Sequence, residues 1–118
     1  MAGVRGEAVI QTESGEVYAL YTNRALVDIE QATGKSIIAI AEGFGSNESG
    51  ITDIAHVLRA GMENHRRDAR VGGQIMKLKD ALDVLDEAGF AAVASATMEA
   101  VAHVLGYGTE SEDEDPNA

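Results

Sequence analysis

The core of this chain has to be aliphatic. Trp and Cys are absent, and Phe44 and Phe90 are the only phenylalanines among 118 residues. Packing therefore falls to Ala, Val, Leu and Ile. The single proline is Pro116, so the punctuation of the chain before it is left to glycine. A chain of this length suits one domain that buries roughly two-thirds of its unfolded surface. The absence of Cys excludes disulfides, thiol catalysis and Cys-based zinc sites.

Twenty carboxylates against nine Lys and Arg give a net charge of −11. That argues against a nucleic-acid partner, which needs clustered cations to neutralise phosphate, and against anionic lipid. The first ten residues lack the apolar run of a signal peptide. The most apolar window, Phe90 to Leu105, has 16 residues and contains Glu99 and His103, too short and polar to span a bilayer. A cytoplasmic location is the expectation.

The chain opens as a hairpin. Glu7 to Thr12 and Val17 to Thr22 are rich in Val, Ile, Thr and Tyr and flank Glu13-Ser14-Gly15-Glu16. Pairing Thr12 with Val17 sets Ile10 opposite Ala19 and Val9 opposite Leu20. A tight turn in that register would oppose Glu13 and Glu16, so a looser four-residue loop is expected. The alternation leaves open which face is buried, Val9, Tyr18 and Leu20 or Ala8, Ile10, Val17 and Ala19. An isolated hairpin is marginal in water, so this one must lie on helices or extend a sheet.

From Asn23, read as an N-cap, the period becomes helical through Ala25, Leu26, Ile29 and Ala32, with Gly34 at the left-handed C′ position. Ser36 to Glu42 reads as a short second helix stopped by Gly43-Phe44-Gly45, with a loop to Gly50. A third helix starts near Ser49 or Thr52 and carries the stripe Ile51, Ile54, Ala55, Leu58 and Met62. Asn64 to Arg70 breaks the pattern. A fourth helix is expected over 73–88, with Ile75, Leu78, Leu82 and Leu85 aligned. Gly89 separates it from a fifth over Phe90 to Leu105, striped by Val93, Thr97, Val101 and Leu105. The expectation is a single α+β domain over 1–106, an N-terminal β-hairpin followed by about five helices. Residues 107–118 are expected to form a disordered acidic tail, since Thr109 to Ala118 holds five carboxylates and almost nothing to bury.

Chemistry is sparse. His103 follows Glu99 by four residues, which places both on one helix face, but no third ligand is spaced nearby. His56 flanks an apolar stripe, and His65 sits among arginines. Gly43-Phe44-Gly45-Ser46 lacks the Gly-Lys-Ser/Thr ending of a phosphate loop, and no serine sits in a nucleophile elbow. No cofactor, metal or catalytic residue is assigned, and nothing argues for an enzyme. One asymmetry stands out: six of the nine cations, Arg59, Arg66, Arg67, Arg70, Lys77 and Lys79, fall within 21 residues, while carboxylates gather after them. This reads either as solvated helix surface or as a basic patch for an acidic partner or a neighbouring subunit's tail.

The order Gly6-Glu7, a strand, Ser14-Gly15, Tyr18-x-Leu20, then Ala25-Leu26-x-x-Ile29-Glu30-x-x-Thr33-Gly34-x-Ser36 and an apolar helix ending near Gly61-Met62, carries a resemblance. It resembles the small protein encoded beside the tail-tube gene in alphaproteobacterial gene transfer agents and related siphophages. That family has been labelled both tail tube protein and tail assembly chaperone. The chaperone label fits better, because a tube subunit is mostly β and here only about a dozen residues read as strand. The resemblance implies a transient factor that binds the helical tape measure protein, presents it to tail tube protein in the host cytoplasm, and is missing from the mature particle. Alternatives are a structural tail component retained in the virion, or a small regulatory binding domain unrelated to phage. For the partner surface, Leu78, Leu82 and Leu85 on the fourth helix and Val101 and Leu105 on the fifth are the candidates, with Arg66, Arg67 and Arg70 beside them. The same stripes could instead pack wholly into the core, and a homo-oligomer is a further possibility.

Overall fold

The computed structural model describes residues 6–46 and 49–106. The expected acidic tail over 107–118 lies outside the described residues. Two antiparallel strands, β1 (Glu7–Thr12) and β2 (Gly15–Leu20), precede five helices. These are α1 (Asn23–Thr33), α2 (Ile37–Gly45), α3 (Ile51–Asp68), α4 (Leu78–Ala88) and α5 (Phe90–Leu105). The protein is α+β and mostly helical, with the hairpin first, as its sequence pattern implies.

The hairpin pairs two residues out from the expected register. Ile10 faces Val17 rather than Ala19, and Thr12 faces Gly15. Thr12 is the cause: its hydroxyl donates to Gly15 O at 2.7 Å and accepts from Ser14 N at 3.2 Å, which closes a turn of only Glu13 and Ser14. The shift also removes the like-charge Glu13–Glu16 pairing. Glu16 now faces Gln11, whose Nε2 donates to its carboxylate at 3.0 Å. The face that goes inward holds Ala8, Ile10, Val17 and Ala19. The small Ala8–Ala19 pair lets β1 lie against α5 and α4, while β2 lies on α3.

Tyr21 continues the inward face beyond β2 and is fully buried. Its hydroxyl donates to the Val57 carbonyl of α3 at 2.7 Å, and burial pushes the phenol well above its usual range. The ring lies on Gly61, where an added Cβ would come 2.4 Å from Tyr21 Cζ. Burying such a ring contributes roughly 2–3 kcal/mol. α3 is the hub: it packs on β2, α1, α4 and α5, and buries Ile54, Ala55, Val57, Leu58, Ala60 and Met62. Ile51, expected on that stripe, is exposed because it opens the helix.

Several helix boundaries differ from the sequence reading. α1 is capped by Thr22, whose extended backbone leads out of the hairpin and whose hydroxyl accepts from Ala25 N at 3.4 Å; Asn23 is the first helical residue. Gly34 is left-handed at φ 73°, as expected, with its N–H on Glu30 O. α2 runs through the Gly43-Phe44-Gly45 segment instead of stopping there. Gly43 serves close approach rather than a turn: Ser49 N donates to its carbonyl at 3.0 Å, and a Cβ there would lie 2.4 Å from Ser49 Oγ. α4 begins at Leu78, five residues later than expected, leaving Ile75 outside the helix. Gly89, at φ 93°, turns the chain by 117° between α4 and α5. Phe44 of α2 meets Phe90 at the start of α5, with ring centroids 6.5 Å apart. No single described helix is long and apolar enough to cross a membrane.

Gly61→Ala is expected to cost about 1–3 kcal/mol in urea denaturation, because the methyl must push Tyr21 off α3. A cost below about 0.5 kcal/mol, ordinary for surface positions, would show that the ring does not rest on this glycine.

Candidate partner-binding surface

The sequence reading ends regular structure near Asn64, but α3 continues to Asp68 because Glu63 organises its last turns. Glu63 is only 3 % exposed. Its carboxylate takes a two-pronged contact from Arg66, Nε to Oε1 at 2.9 Å and Nη2 to Oε2 at 2.7 Å. Arg67 Nε adds a third bond at 2.9 Å, and the Met76 backbone N–H a fourth at 2.9 Å. The i+3 and i+4 spacing brings both guanidiniums onto one helix face, and the paired geometry suits arginine. The Arg66 hydrogen bonds, foremost, together with those from Met76 and Arg67, outweigh burial and hold the Glu63 carboxyl down at about 2.

The bond to Met76 matters most for the surface, because it ties the irregular segment before α4 back to α3. The helix itself ends in a Schellman arrangement: Val71 N donates to Arg66 O at 3.0 Å and Arg70 N to Arg67 O at 3.1 Å. Arg70 occupies the left-handed C′ position, φ 57°, where glycine is the usual residue. Arg66 Nη1 reaches the Val71 carbonyl at 3.3 Å and fixes the next step of the chain.

Folding the segment back in this way builds a mainly apolar groove of about 310 Å³. Val17 and Tyr18 of β2, Met62 of α3, and Val71 and Met76 of the returning segment line it, with Glu16, His65 and Arg66 at the rim. Tyr18 is held in place by stacking on His65, centroids 5.3 Å apart and planes 22° from parallel. Its hydroxyl donates to Glu16, which lowers the Glu16 pKa and raises that of the phenol. Val71 is 53 % exposed and Ile75, just before Met76, 59 %. Met62 forms the buried floor of the groove and Met76 its half-buried wall, and thioether side chains adapt to irregular apolar surfaces at little cost.

The residues singled out from sequence do not form one exposed stripe. Leu85 and Val101 are buried in the core, and Leu78 and Leu105 are half-buried against it. Leu82 alone of the five is exposed, at 40 %. Arg66 and Arg67 are committed to Glu63, and Arg70 lies exposed at the helix end. Of the eight, only Arg66 lines the groove. Tyr18, Val71, Met76 and Glu63 were not among the partner-surface candidates, although Glu63-x-x-Arg66-Arg67 has the spacing of an ion-paired helix turn. Among the described residues no three His, Asp or Glu side chains gather as a metal set. His56 Nδ1 is buried without a hydrogen-bond partner among them. The chain matches no family model, no curated protein and no solved structure.

The depressed Glu63 pKa sets a pH dependence. The carboxylate's contribution to stability is fully present above the ordinary value of 4.5 and fades as the pH falls toward about 2. Urea midpoints of the wild type should therefore drop across that window. Glu63→Gln should be destabilised by about 2 kcal/mol at neutral pH, since Arg66 loses its partner. Its midpoint should also fall less steeply between those pH values, and an equally steep fall would show that Glu63 is not the group titrating.

Proposed function

We propose that the protein is a tail assembly chaperone of the gene transfer agent and siphophage type. It binds a helix of the tape measure protein in the groove between β2, the end of α3 and the segment before α4, and hands that client to tail tube protein. The exposed, methionine-containing groove carries this reading. A holding factor must keep an apolar surface available in the folded monomer, and this one does so without opening the core.

The residues that carry the sequence resemblance share one structural task. They build the corner between α1 and α2: Glu30 Oε2 accepts from Ile37 N at 2.8 Å, Thr33 Oγ1 accepts from Lys35 N at 3.2 Å, and Ser36 Oγ accepts from Ala39 N at 3.0 Å. Gly34 supplies the left-handed turn between them. Together these bonds cap the corner between the two helices. On this reading the protein acts in the host cytoplasm by binding alone and leaves before the particle matures.

Co-expression with a tape measure protein encoded by the same genome tests the proposal. Val71→Asp changes a half-exposed side chain and should leave the far-ultraviolet circular dichroism and melting temperature nearly unchanged. It should weaken client co-purification at least about tenfold, because a carboxylate would be desolvated on binding. Leu82→Asp should leave co-purification intact. Loss of client with Leu82→Asp and not with Val71→Asp would move the working surface to α4.

A further inference from the structure

α1 and α3 leave between them a second, polar cleft of about 320 Å³. Arg24, Asp28 and Gln31 line it from α1, and Glu63, Asn64 and Arg67 from α3. Each of its negative groups is paired with arginine. Asp28 accepts from Arg59 Nη2 at 2.9 Å, and Glu63 is shared by Arg66 and Arg67. Two guanidiniums on one carboxylate leave a positive charge in excess, and Arg24 adds another, with no hydrogen bond or ion pair among the described residues. Arg24 and Arg67 balance Asp28 and Glu63 in the lining itself, and their ion-pair partners Arg59 and Arg66 bring the surroundings to four guanidiniums against two carboxylates, inside a chain of net charge −11.

Its place in the fold says what can reach it. His103 and Val104, at the end of α5, line a hollow together with Tyr21, Thr22 and Asn23, and Asn64 Nδ2 donates to Thr22 Oγ1 at 3.1 Å. The chain therefore leaves α5 at Gly106 beside the start of α1, and Arg24 is the next residue along. The sequence that follows Gly106 is Tyr-Gly-Thr and then Glu110, Glu112, Asp113, Glu114 and Asp115. Four extended residues reach roughly 14 Å and nine roughly 30 Å, so all five carboxylates can sample the cleft.

We propose that the acidic segment Glu110–Asp115 docks in cis on the α1–α3 cleft, its carboxylates against the guanidiniums of Arg24 and Arg67. Tethering supplies an effective concentration in the millimolar range, so individually weak, exchanging ion pairs suffice. The docked segment occupies the cleft and must be displaced by any other acidic peptide. This contact does not depend on the identity of the client.

The absence of cysteine makes the test clean. A spin label on Ser111→Cys in the full chain is read through amide intensities of the ¹⁵N-labelled protein. Amides of Arg24, Gln31, Asn64 and Arg67 should lose at least about half their intensity relative to the reduced label. The loss should be reversed in about 0.5 M NaCl, where screening shortens to a few ångströms, and by Arg24→Glu, which alters an exposed side chain. Loss confined to His103–Gly106, loss centred on Arg70–Lys79, or loss insensitive to both salt and Arg24→Glu would overturn the proposal. Loss that grows with protein concentration would do the same, because it would place the segment on a second copy.

Discussion

Tyr21 is the hinge pin of the structure. A two-stranded hairpin cannot hold itself together in water, and this one becomes stable by inserting the residue after β2 into the middle of α3. The phenol ring needs a flat place on the helix, which Gly61 provides, and its hydroxyl needs an acceptor, which the Val57 carbonyl provides. Once Tyr21 is seated, β2 lies along α3, and β1 lies against α5 and α4. The Gly6 carbonyl accepts from Tyr21 N at 2.9 Å, and a Cβ on Gly6 would collide with Val104 of α5. The same residue therefore draws both ends of the described chain together.

The groove follows from a second, electrostatic constraint further along α3. Glu63 is buried, and a buried carboxylate is tolerated only when its oxygens are fully engaged. Two arginines one turn on and one backbone N–H from beyond the helix fill that need. Satisfying the charge extends the helix and bends the following segment back over β2. The apolar side chains of that segment are left facing Tyr18 and Met62, and among the described residues no further element covers them. The exposed surface is thus a consequence of how a charge is buried, and it sits where the chain has little regular structure.

The order and type of elements were legible in the sequence because helical stripes and glycine ends are local signals. Gly34, Gly89 and Gly106 do end helices, each with positive φ. Gly43 and Gly61 look identical in sequence but sit inside helices, because what they accommodate, Ser49 and Tyr21, becomes visible only in the packed chain. The hairpin register escaped for a similar reason, since it is set by the Thr12 hydroxyl closing the turn rather than by the hydrophobic alternation. The proposed partner surface was the least legible part. A stripe such as Leu78, Leu82 and Leu85 reports that a helix has an apolar side, not whether a neighbour covers it, and the core covers most of this one. Arg66 and Arg67 likewise read as free cations until Glu63 is seen between them.

As proposed, the protein is a transient factor of tail assembly. Quantitative mass spectrometry of particles purified to homogeneity from the strain that encodes it addresses this most directly. Tape measure and tail tube peptides should be abundant, and peptides of this chain should be absent or present at far less than one copy per particle. Peptides of this chain at a copy number comparable to that of the tube subunit would contradict the account and make the protein a structural component of the tail.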